Sequence, residues 1–164
     1  MMKTINCYLE SSSIWNLYYE ENESSLIEYC IENEQIICIS SIWTTLEIAR
    51  GIKKRVNQKE ITNEEGNLLQ LFIEADLEKL RKKRRILLEN IKEEDIERAK
   101  KIIQQYNLYA SDALHLATAL NKKCEIFIVD DYHFTRLEEK VTKNEKITIY
   151  STSKTPEELK KKLQ

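Results

Sequence analysis

The chain has 164 residues, of which 41% are hydrophobic and 33% are charged, and its formal net charge at pH 7 is -2. This composition predicts one folded domain with a buried core and excludes an intrinsically disordered chain. The near-neutral charge gives no general attraction to nucleic acid, so local basic patches would have to bind a polyanion. No apolar run approaches the length of a membrane span and no signal-peptide core is visible, which predicts a cytoplasmic protein without a membrane partner.

Two glycines and one proline encode few tight loops, so helices are expected to dominate. The four cysteines, Cys7, Cys30, Cys38 and Cys124, have apolar neighbours and form no CxxC motif. This distribution predicts buried free thiols rather than disulfides or a zinc site.

The first half of the chain alternates short apolar runs with helical patterns. Strands are expected at Ile5–Leu9 and at residues 36–39. Helices are expected at residues 13–20, 24–32 and 40–55, and Ser40 or Ser41 is the expected cap of the third. The capping box Thr62-Asn63-Glu64-Glu65 begins a long helix that extends to about residue 85 and that the pattern allows to break near Asp76.

The second half continues the alternation. Residues 86–91 fit a strand or a helix, and this alternative stays open. Helices are expected at residues 93–106 and 110–120, with Ser111 as the cap of the second, and a short helix is expected from Phe134. Strands are expected at residues 125–129 and 147–150, and Pro156 in a second capping box begins a C-terminal helix.

Short apolar strands separated by helices predict an α/β sandwich with a short central parallel sheet flanked by helices. We expect a single domain over residues 1–164, with its core at about 5–150 and a C-terminal helix at about 156–163. Ligands of such sheets bind beyond the carboxyl ends of the strands.

Acidic residues stand at several places where such a site is built. Glu10 directly follows the first strand, and Asp130 and Asp131 directly follow the strand at 125–129. Asp112 lies in the first turn of its helix, and Glu47 lies about two turns into another. Each acid alone also has an ordinary interpretation, as a helix cap, a partner of the helix dipole, a member of a helical ion pair or a turn former.

Carboxylates that converge on one site repel one another and raise each other's pKa values. A hard divalent cation such as Mg²⁺ removes this repulsion and leaves room for water and substrate phosphate oxygens. The pattern offers no histidine or cysteine ligand set for zinc, so an all-oxygen site is expected.

The sequence resembles the PIN-domain family, in particular the VapC-type toxin ribonucleases, over roughly residues 5–150. The strongest parts are SDALHLATAL at 111–120 and IFIVDDYHF at 126–134, which are similar to the family's acid-bearing helix and to its strand that ends in an acid. CYLESSSIW at 7–15 and ISSIWTTLEIARGI at 39–52 resemble the first two acidic motifs. The resemblance implies a PIN-like α/β/α sandwich.

The resemblance assigns catalysis and metal binding, with one or two Mg²⁺ or Mn²⁺ ions, to four acids: Glu10, Glu47, Asp112 and Asp131. Asp131 is preferred to Asp130 because it stands three residues before Phe134, as the family's acid does. Ser12 and Asp130 are assigned supporting roles.

Two positions depart from the family pattern. Glu10 stands where the family has aspartate, and Val129 stands where the family has threonine or serine two residues before the last acid. A catalytically weakened or inactive PIN-like binding or scaffold module is therefore the alternative to an active enzyme. A DNA nuclease of related fold is a third interpretation.

The activity that the resemblance implies is metal-dependent endonucleolytic hydrolysis of RNA, as the toxin of a type II toxin–antitoxin pair. The implied partners are an RNA substrate, a second copy of the chain in a homodimer, and a cognate antitoxin protein. The basic cluster that follows Glu47 is expected to contact RNA phosphates and comprises Arg50, Lys53, Lys54 and Arg55.

Several aromatic and imidazole side chains have two interpretations each. Trp43, Tyr106 and Tyr109 could stack on RNA bases, but packing is the preferred interpretation. His115 and His133 are expected to be structural, and a supporting role for His115 beside Asp112 stays open.

Overall fold

The computed structural model describes residues 4–19 and 24–163, and these contain five strands and nine helices. The strands are β1 (Ile5–Leu9), β2 (Ile36–Ser41), β3 (Ile86–Glu89), β4 (Ile126–Val129) and β5 (Thr148–Ser151). The helices are α1 (Ser11–Asn16), α2 (Ser25–Glu32), α3 (Trp43–Asn57), α4 (Asn63–Lys82), α5 (Glu93–Tyr106), α6 (Ala110–Asn121), α7 (Tyr132–Thr135), α8 (Glu138–Glu145) and α9 (Pro156–Leu163).

The strands form one sheet in the order β3-β2-β1-β4-β5, and every neighbouring pair is parallel. β1 lies at the centre, where Cys7 is opposite Cys38 of β2 on one side and Ile126 of β4 on the other. Along the chain, β2 and β3 extend the sheet on one side of β1, and β4 and β5 then extend it on the other side. The crevice between the carboxyl ends of β1 and β4 is therefore the topological switch point, where open parallel sheets bind their ligands.

Alternate residues of β1 face two separate hydrophobic cores. Ile5, Cys7 and Leu9 pack with residues of α1, α2, α3, α4 and α9. Tyr8 points to the opposite face and packs with residues of α5, α6, α7 and α8. This alternation follows from the two-residue period of a strand. The predicted α/β/α sandwich with a short central parallel sheet is confirmed.

Helix α6 is the innermost helix of its layer, because all eight residues from Ala113 to Leu120 are buried. α5 packs alongside it through Ala99, Ile102 and Tyr106, which recur at helical spacing. α5 ends at Asn107, whose φ of 53° is the left-handed conformation that asparagine tolerates at a helix end. The acid-bearing start of α6 is thereby fixed against the sheet.

Most of the predicted helices and strands are present. The structure also decides the two alternatives that the sequence left open, at residues 86–91 and near Asp76. Residues 86–89 form strand β3 at the edge of the sheet. α4 begins at the predicted capping box, in which Thr62 and Glu65 bond reciprocally. The helix runs unbroken through Asp76, so the allowed break there is wrong. The Asp76 carboxylate instead accepts a hydrogen bond of 3.0 Å from the Tyr18 hydroxyl.

The predicted serine caps are wrong. Ser40 and Ser41 belong to β2 and are fully buried, and α3 begins at Trp43. The Ser40 hydroxyl donates to the carbonyl of Leu9 in β1 at 2.7 Å, which keeps this segment in the sheet. Ser111 lies inside α6, whose N-cap position is Tyr109.

Two helices start earlier than predicted, and an acidic residue caps each of them. Glu10 caps α1, which therefore starts at Ser11 and ends at Asn16, and the predicted end at Glu20 lies outside the described residues. Asp131 caps α7, which starts two residues before Phe134. Helix α8 follows and was not predicted.

All four cysteines are buried and free, as predicted. None of the helices in the described parts of the chain combines the length and the apolar character needed to cross a membrane.

Candidate metal centre

Glu10 leaves the end of β1 and turns back to cap α1. Its backbone is extended, with φ -72° and ψ 158°, and its N–H donates to the carbonyl of Ile128 in β4 at 3.0 Å. Its Oε2 atom accepts hydrogen bonds from the N–H of Ser12, at 2.8 Å, and from the Ser12 hydroxyl. Only 4% of Glu10 is exposed. The carboxylate is therefore held in the crevice between β1 and β4 by the first turn of its own helix.

Glu47 reaches the same place from α3. The Ser11 hydroxyl contacts both carboxylates, at 2.5 Å from Oε1 of Glu10 and at a shorter distance from Oε2 of Glu47. A hydroxyl carries one hydrogen, so two acidic acceptors surround a single donor. The site has more acceptors than it has hydrogens or positive charges to satisfy them.

His115, for which the sequence left a supporting role beside Asp112 open, contacts Glu47 and lies close to Glu10. Its side chain is fully buried, and its Nε2 atom lies 3.1 Å from Oε2 of Glu47 and 3.7 Å from Oε1 of Glu10. Its Nδ1 atom lies 2.7 Å from the Tyr8 hydroxyl. A histidine therefore lies beside the carboxylates, and Glu10, Glu47 and His115 form a group that could hold a metal ion. The available signal was the spacing of three residues between Asp112 and His115, which places both on one side of α6.

The pKa values of His115 and Glu47 shift in opposite directions. Burial alone would lower the pKa of His115, but the hydrogen bond to Glu47 and the charges of the nearby carboxylates raise it above its ordinary value. Burial alone would raise the pKa of Glu47, but the hydrogen bonds from His115 and Ser11 lower it below its ordinary value. In both cases the hydrogen bond between His115 and Glu47 favours the charged form of the group.

Asp112 and Asp131 are related to the other acids through the effect of charge on the pKa of Asp112. Burial, followed by the charges of Glu10, Asp131 and Glu47, raises the pKa of Asp112 to about 6. Asp131 caps α7 by accepting a hydrogen bond of 2.6 Å from the N–H of His133. Glu10 and Glu47 share the Ser11 hydroxyl, whereas Asp112 and Asp131 are linked to the cluster by the effect of the neighbouring charges on the pKa of Asp112.

Ser12 and Asp130 tie the ends of β1 and β4 together. The N–H of Asp130 donates to the Ser12 hydroxyl oxygen at 2.8 Å, and the same hydroxyl donates to Glu10. The Asp130 carboxylate accepts a hydrogen bond of 3.0 Å from Asn16 of α1. Asp130 is thus engaged by α1, whereas the charge of Asp131 is one of those that raise the pKa of Asp112.

The predicted RNA-binding cluster divides into two parts. Three of its members are exposed on α3: Arg50, Lys53 and Lys54. Arg55 is half-buried, and its guanidinium carbon lies 4.3 Å from the ring centroid of Trp15 and 4.1 Å from that of Tyr19. Arg55 is therefore a packing residue, and only the three exposed residues are available to phosphates.

A divalent cation fits the donor set. Glu10, Glu47 and His115 each offer one ligand atom, and these atoms lie within 4.8 Å of one another. The shared Ser11 donor and the raised pKa of Asp112 both show a cluster that lacks positive charge. Carboxylate oxygens suit Mg²⁺ and Mn²⁺, whereas an imidazole nitrogen is a ligand that transition metals prefer.

The PIN domain family profile matches residues 7–140. A search of curated protein sequences gives no significant match. Solved structures of similar fold include a toxin–antitoxin complex from Klebsiella pneumoniae, with 20% identity and a TM-score of 0.53 over 76% of this chain and 86% of that chain. VapBC2 from Rickettsia felis, bound to a DNA fragment from its promoter, has 12% identity and a TM-score of 0.58 over 90% of this chain and 98% of that chain.

PAE2754 from Pyrobaculum aerophilum has 10% identity and a TM-score of 0.56 over 99% of this chain and 98% of that chain. At these identities the structural likeness shows the fold alone. The family profile, however, spans β1 to α8 and includes all four acids and His115. The chain therefore belongs to the PIN domain family.

Proposed function

We propose that this protein is a metal-dependent endoribonuclease that hydrolyses RNA phosphodiester bonds and acts as the toxin of a type II toxin–antitoxin pair. The observation that carries the proposal is the set of ligand atoms of Glu10, Glu47 and His115, which lie within 4.8 Å of one another. Burial and the neighbouring carboxylates also raise the pKa of Asp112. PIN domains are generally metal-dependent nucleases, and the structural neighbours include toxin–antitoxin complexes.

The chain's own residues would hold one or two Mg²⁺ or Mn²⁺ ions at the switch point, with Glu10, Glu47, Asp112 and Asp131 as oxygen donors. A bound divalent cation supplies charge neutralisation at the phosphate and activates water for hydrolysis. Ser12 fixes the carboxylate of Glu10, and His115 fixes that of Glu47. A carboxylate of the cluster would accept the proton of the attacking water.

RNA would be guided to the acidic centre by positive charge on α3. Arg50 lies almost one helical turn after Glu47, and Lys54 lies one turn further on the same side. Both side chains are exposed. Contacts from these residues to the sugar-phosphate backbone would position the substrate without reading its sequence.

A protein partner is also part of the proposal. Leu68, Leu71 and Phe72 lie on one side of α4 and are more than half exposed, and Leu46 of α3 is 56% exposed. Large apolar side chains that face solvent together are typical of a protein-binding surface. We assign this surface to an antitoxin segment, and we propose that the protein is a homodimer of single-domain chains.

The alternative is a PIN-like module that binds partners without cleaving RNA. Its support is specific: the Glu10 carboxylate is already engaged by Ser11 and Ser12, and the buried Val129 provides no hydroxyl near the last acid. A module of this kind would not bind Mn²⁺ at millimolar concentrations.

The test is cleavage of a mixed RNA pool by the purified protein, first with EDTA and then with Mg²⁺ or Mn²⁺ restored. We expect cleavage only with the metal, and its loss in Asp112→Asn but not in Glu94→Gln, an exposed acid on α5. Cleavage by a folded Asp112→Asn protein would contradict the assignment. Absence of both cleavage and Mn²⁺ binding in the unmodified protein would support the alternative.

A further inference from the structure

Two exposed aromatic side chains stand beside the acidic cluster. The rings of Tyr109 and His133 meet edge to face, with their centroids 5.4 Å apart and an interplanar angle of 84°. Tyr109 is 69% exposed, and His133 is also exposed. We name these two side chains the aromatic pair.

The aromatic pair joins the two segments that carry the last two acids. Tyr109 occupies the N-cap position of α6, three residues before Asp112. His133 lies in α7, and its N–H donates to the carboxylate of Asp131 at 2.6 Å. Each member of the aromatic pair thus lies within three residues of one of these acids, and the contact between the two rings joins the two segments.

Packing explains Tyr106 and Trp43 but does not explain Tyr109. Tyr106 is 3% exposed, and its hydroxyl donates to Glu145 at 2.9 Å. Trp43 is partly buried against the hydrophobic core. Core packing, one form of the packing interpretation preferred for Tyr109, is therefore wrong for this residue. Its ring presents a large apolar face that a ligand can contact.

We propose that the aromatic pair stacks on one unpaired nucleobase of single-stranded RNA and thereby positions the adjacent phosphate at the acidic cluster. This inference rests on the proposed ribonuclease function and adds the recognition of the substrate. The carboxylates of Asp112 and Asp131 repel phosphates wherever a cation does not neutralise them, so an attraction to the neutral part of a nucleotide strengthens binding here. Stacking on an aromatic ring provides this attraction, and it requires an unpaired base whose face is free.

The proposal is tested with short single-stranded RNAs that carry 2-aminopurine at one position. Binding is followed by fluorescence with the Asp112→Asn protein in Mn²⁺ and, in parallel, with the unmodified protein in EDTA, so that cleavage does not interfere. We expect quenching at one position. Tyr109→Ala should abolish this quenching and weaken binding about 5- to 100-fold, whereas Tyr109→Phe should retain both. Tyr132→Ala removes a neighbouring tyrosine that is 77% exposed and serves as the matched control.

A double-mutant cycle identifies the contact. Replacing the quenched base with an abasic nucleotide should weaken binding to the unmodified protein as much as Tyr109→Ala does, and should cause no further loss in Tyr109→Ala. Additive losses, or full quenching by Tyr109→Ala, would overturn the proposal. Base-dependent binding without RNA cleavage would support the aromatic pair and contradict the ribonuclease. RNA cleavage by a protein whose binding does not depend on the base would support the ribonuclease and contradict the role proposed for the aromatic pair.

Discussion

The Nε2 atom of His115 lies 3.1 Å from Oε2 of Glu47, at the end of a buried hydrogen-bond chain that begins at Tyr8 in the central strand. The Nδ1 atom of the same ring forms a hydrogen bond of 2.7 Å with the Tyr8 hydroxyl. The ring is thereby fixed from both sides. The chain connects the middle of the sheet to the acidic cluster.

We predict that His115→Ala destabilises the protein by about 2–4 kcal/mol. The substitution leaves a cavity and removes hydrogen-bond partners from the buried Tyr8 hydroxyl and from Glu47. Urea unfolding measures the free energy of unfolding. His133→Ala, at the exposed histidine, is the control and should change it by less than about 0.5 kcal/mol. Equal effects of the two substitutions would show that the buried hydrogen-bond chain does not stabilise the fold.

We predict that His115→Ala also lowers the affinity for Mn²⁺ by about 10- to 100-fold, because Glu47 loses the group that orients it. If the imidazole nitrogen is itself a ligand, the loss should be larger for Mn²⁺ than for Mg²⁺. Calorimetric titration of the folded variant with each ion provides the comparison. An equal loss for both ions would limit His115 to orienting Glu47, and unchanged affinities would exclude it from the site.

We predict that Asp112→Asn stabilises the metal-free protein at neutral pH. The pKa of Asp112 in the folded protein is about 6, above its ordinary value of 3.8, so ionisation of this carboxyl opposes folding. Below about pH 4 the carboxyl is protonated in both states and costs nothing. Between about pH 4 and 6 the unfolded chain releases the proton first, and the stability of the unmodified protein falls relative to the variant.

Above about pH 6, the variant should be more stable by about 1–2 kcal/mol, a value reduced for the solvent screening of a partly exposed group. Urea unfolding in EDTA across this pH range measures the difference. A constant difference at every pH would show that the carboxylates near Asp112 do not disfavour its charge. With Mn²⁺ present, the unmodified protein should be more stable than Asp112→Asn, since the cation binds the ionised carboxylate.

We predict that Glu10→Asp weakens Mn²⁺ binding by about tenfold. The Glu10 carboxylate bonds to Ser11 and Ser12 while it lies 3.7 Å from His115, and the shorter aspartate cannot keep all these positions. Titration with Mn²⁺, followed by the cleavage assay, measures the effect. Tighter binding or faster cleavage by Glu10→Asp would show instead that the longer side chain is a handicap.

We predict different effects for two arginines of the basic cluster. Arg55→Ala should lower the free energy of unfolding by about 1–2 kcal/mol, because it removes the cation between Trp15 and Tyr19. Arg50→Ala should leave stability unchanged but weaken RNA binding, and should reduce the slope of log affinity against log salt by about 0.7 per lost contact. Binding of single-stranded RNA to non-cleaving Asp112→Asn proteins provides the measurement, and an unchanged slope would exclude Arg50 from the phosphate path.

Local signals predicted most of the fold and the positions of the acids. The Thr62–Glu65 capping box is correct because both partners lie within one helical turn. The Ser40 cap is wrong because the hydroxyl bonds to Leu9, which lies 31 residues away in the neighbouring strand. The spacing from Asp112 allowed a supporting role for His115, but it could not predict the partners Tyr8 and Glu47, which are 107 and 68 residues away. Contacts that depend on the packing of sequence-distant strands have no local signature.

The position of β1 at the centre of the sheet has a consequence for the timing of synthesis. Ser12 and Asp130 bond at 2.8 Å across the crevice but are separated by 118 residues. An emerging chain therefore has no complete acidic cluster until β4 has left the ribosome and docked beside β1. At about 5–20 residues per second, this delay is on the order of ten seconds. A protein that we propose to cut RNA thus remains harmless to the ribosome that makes it throughout that interval.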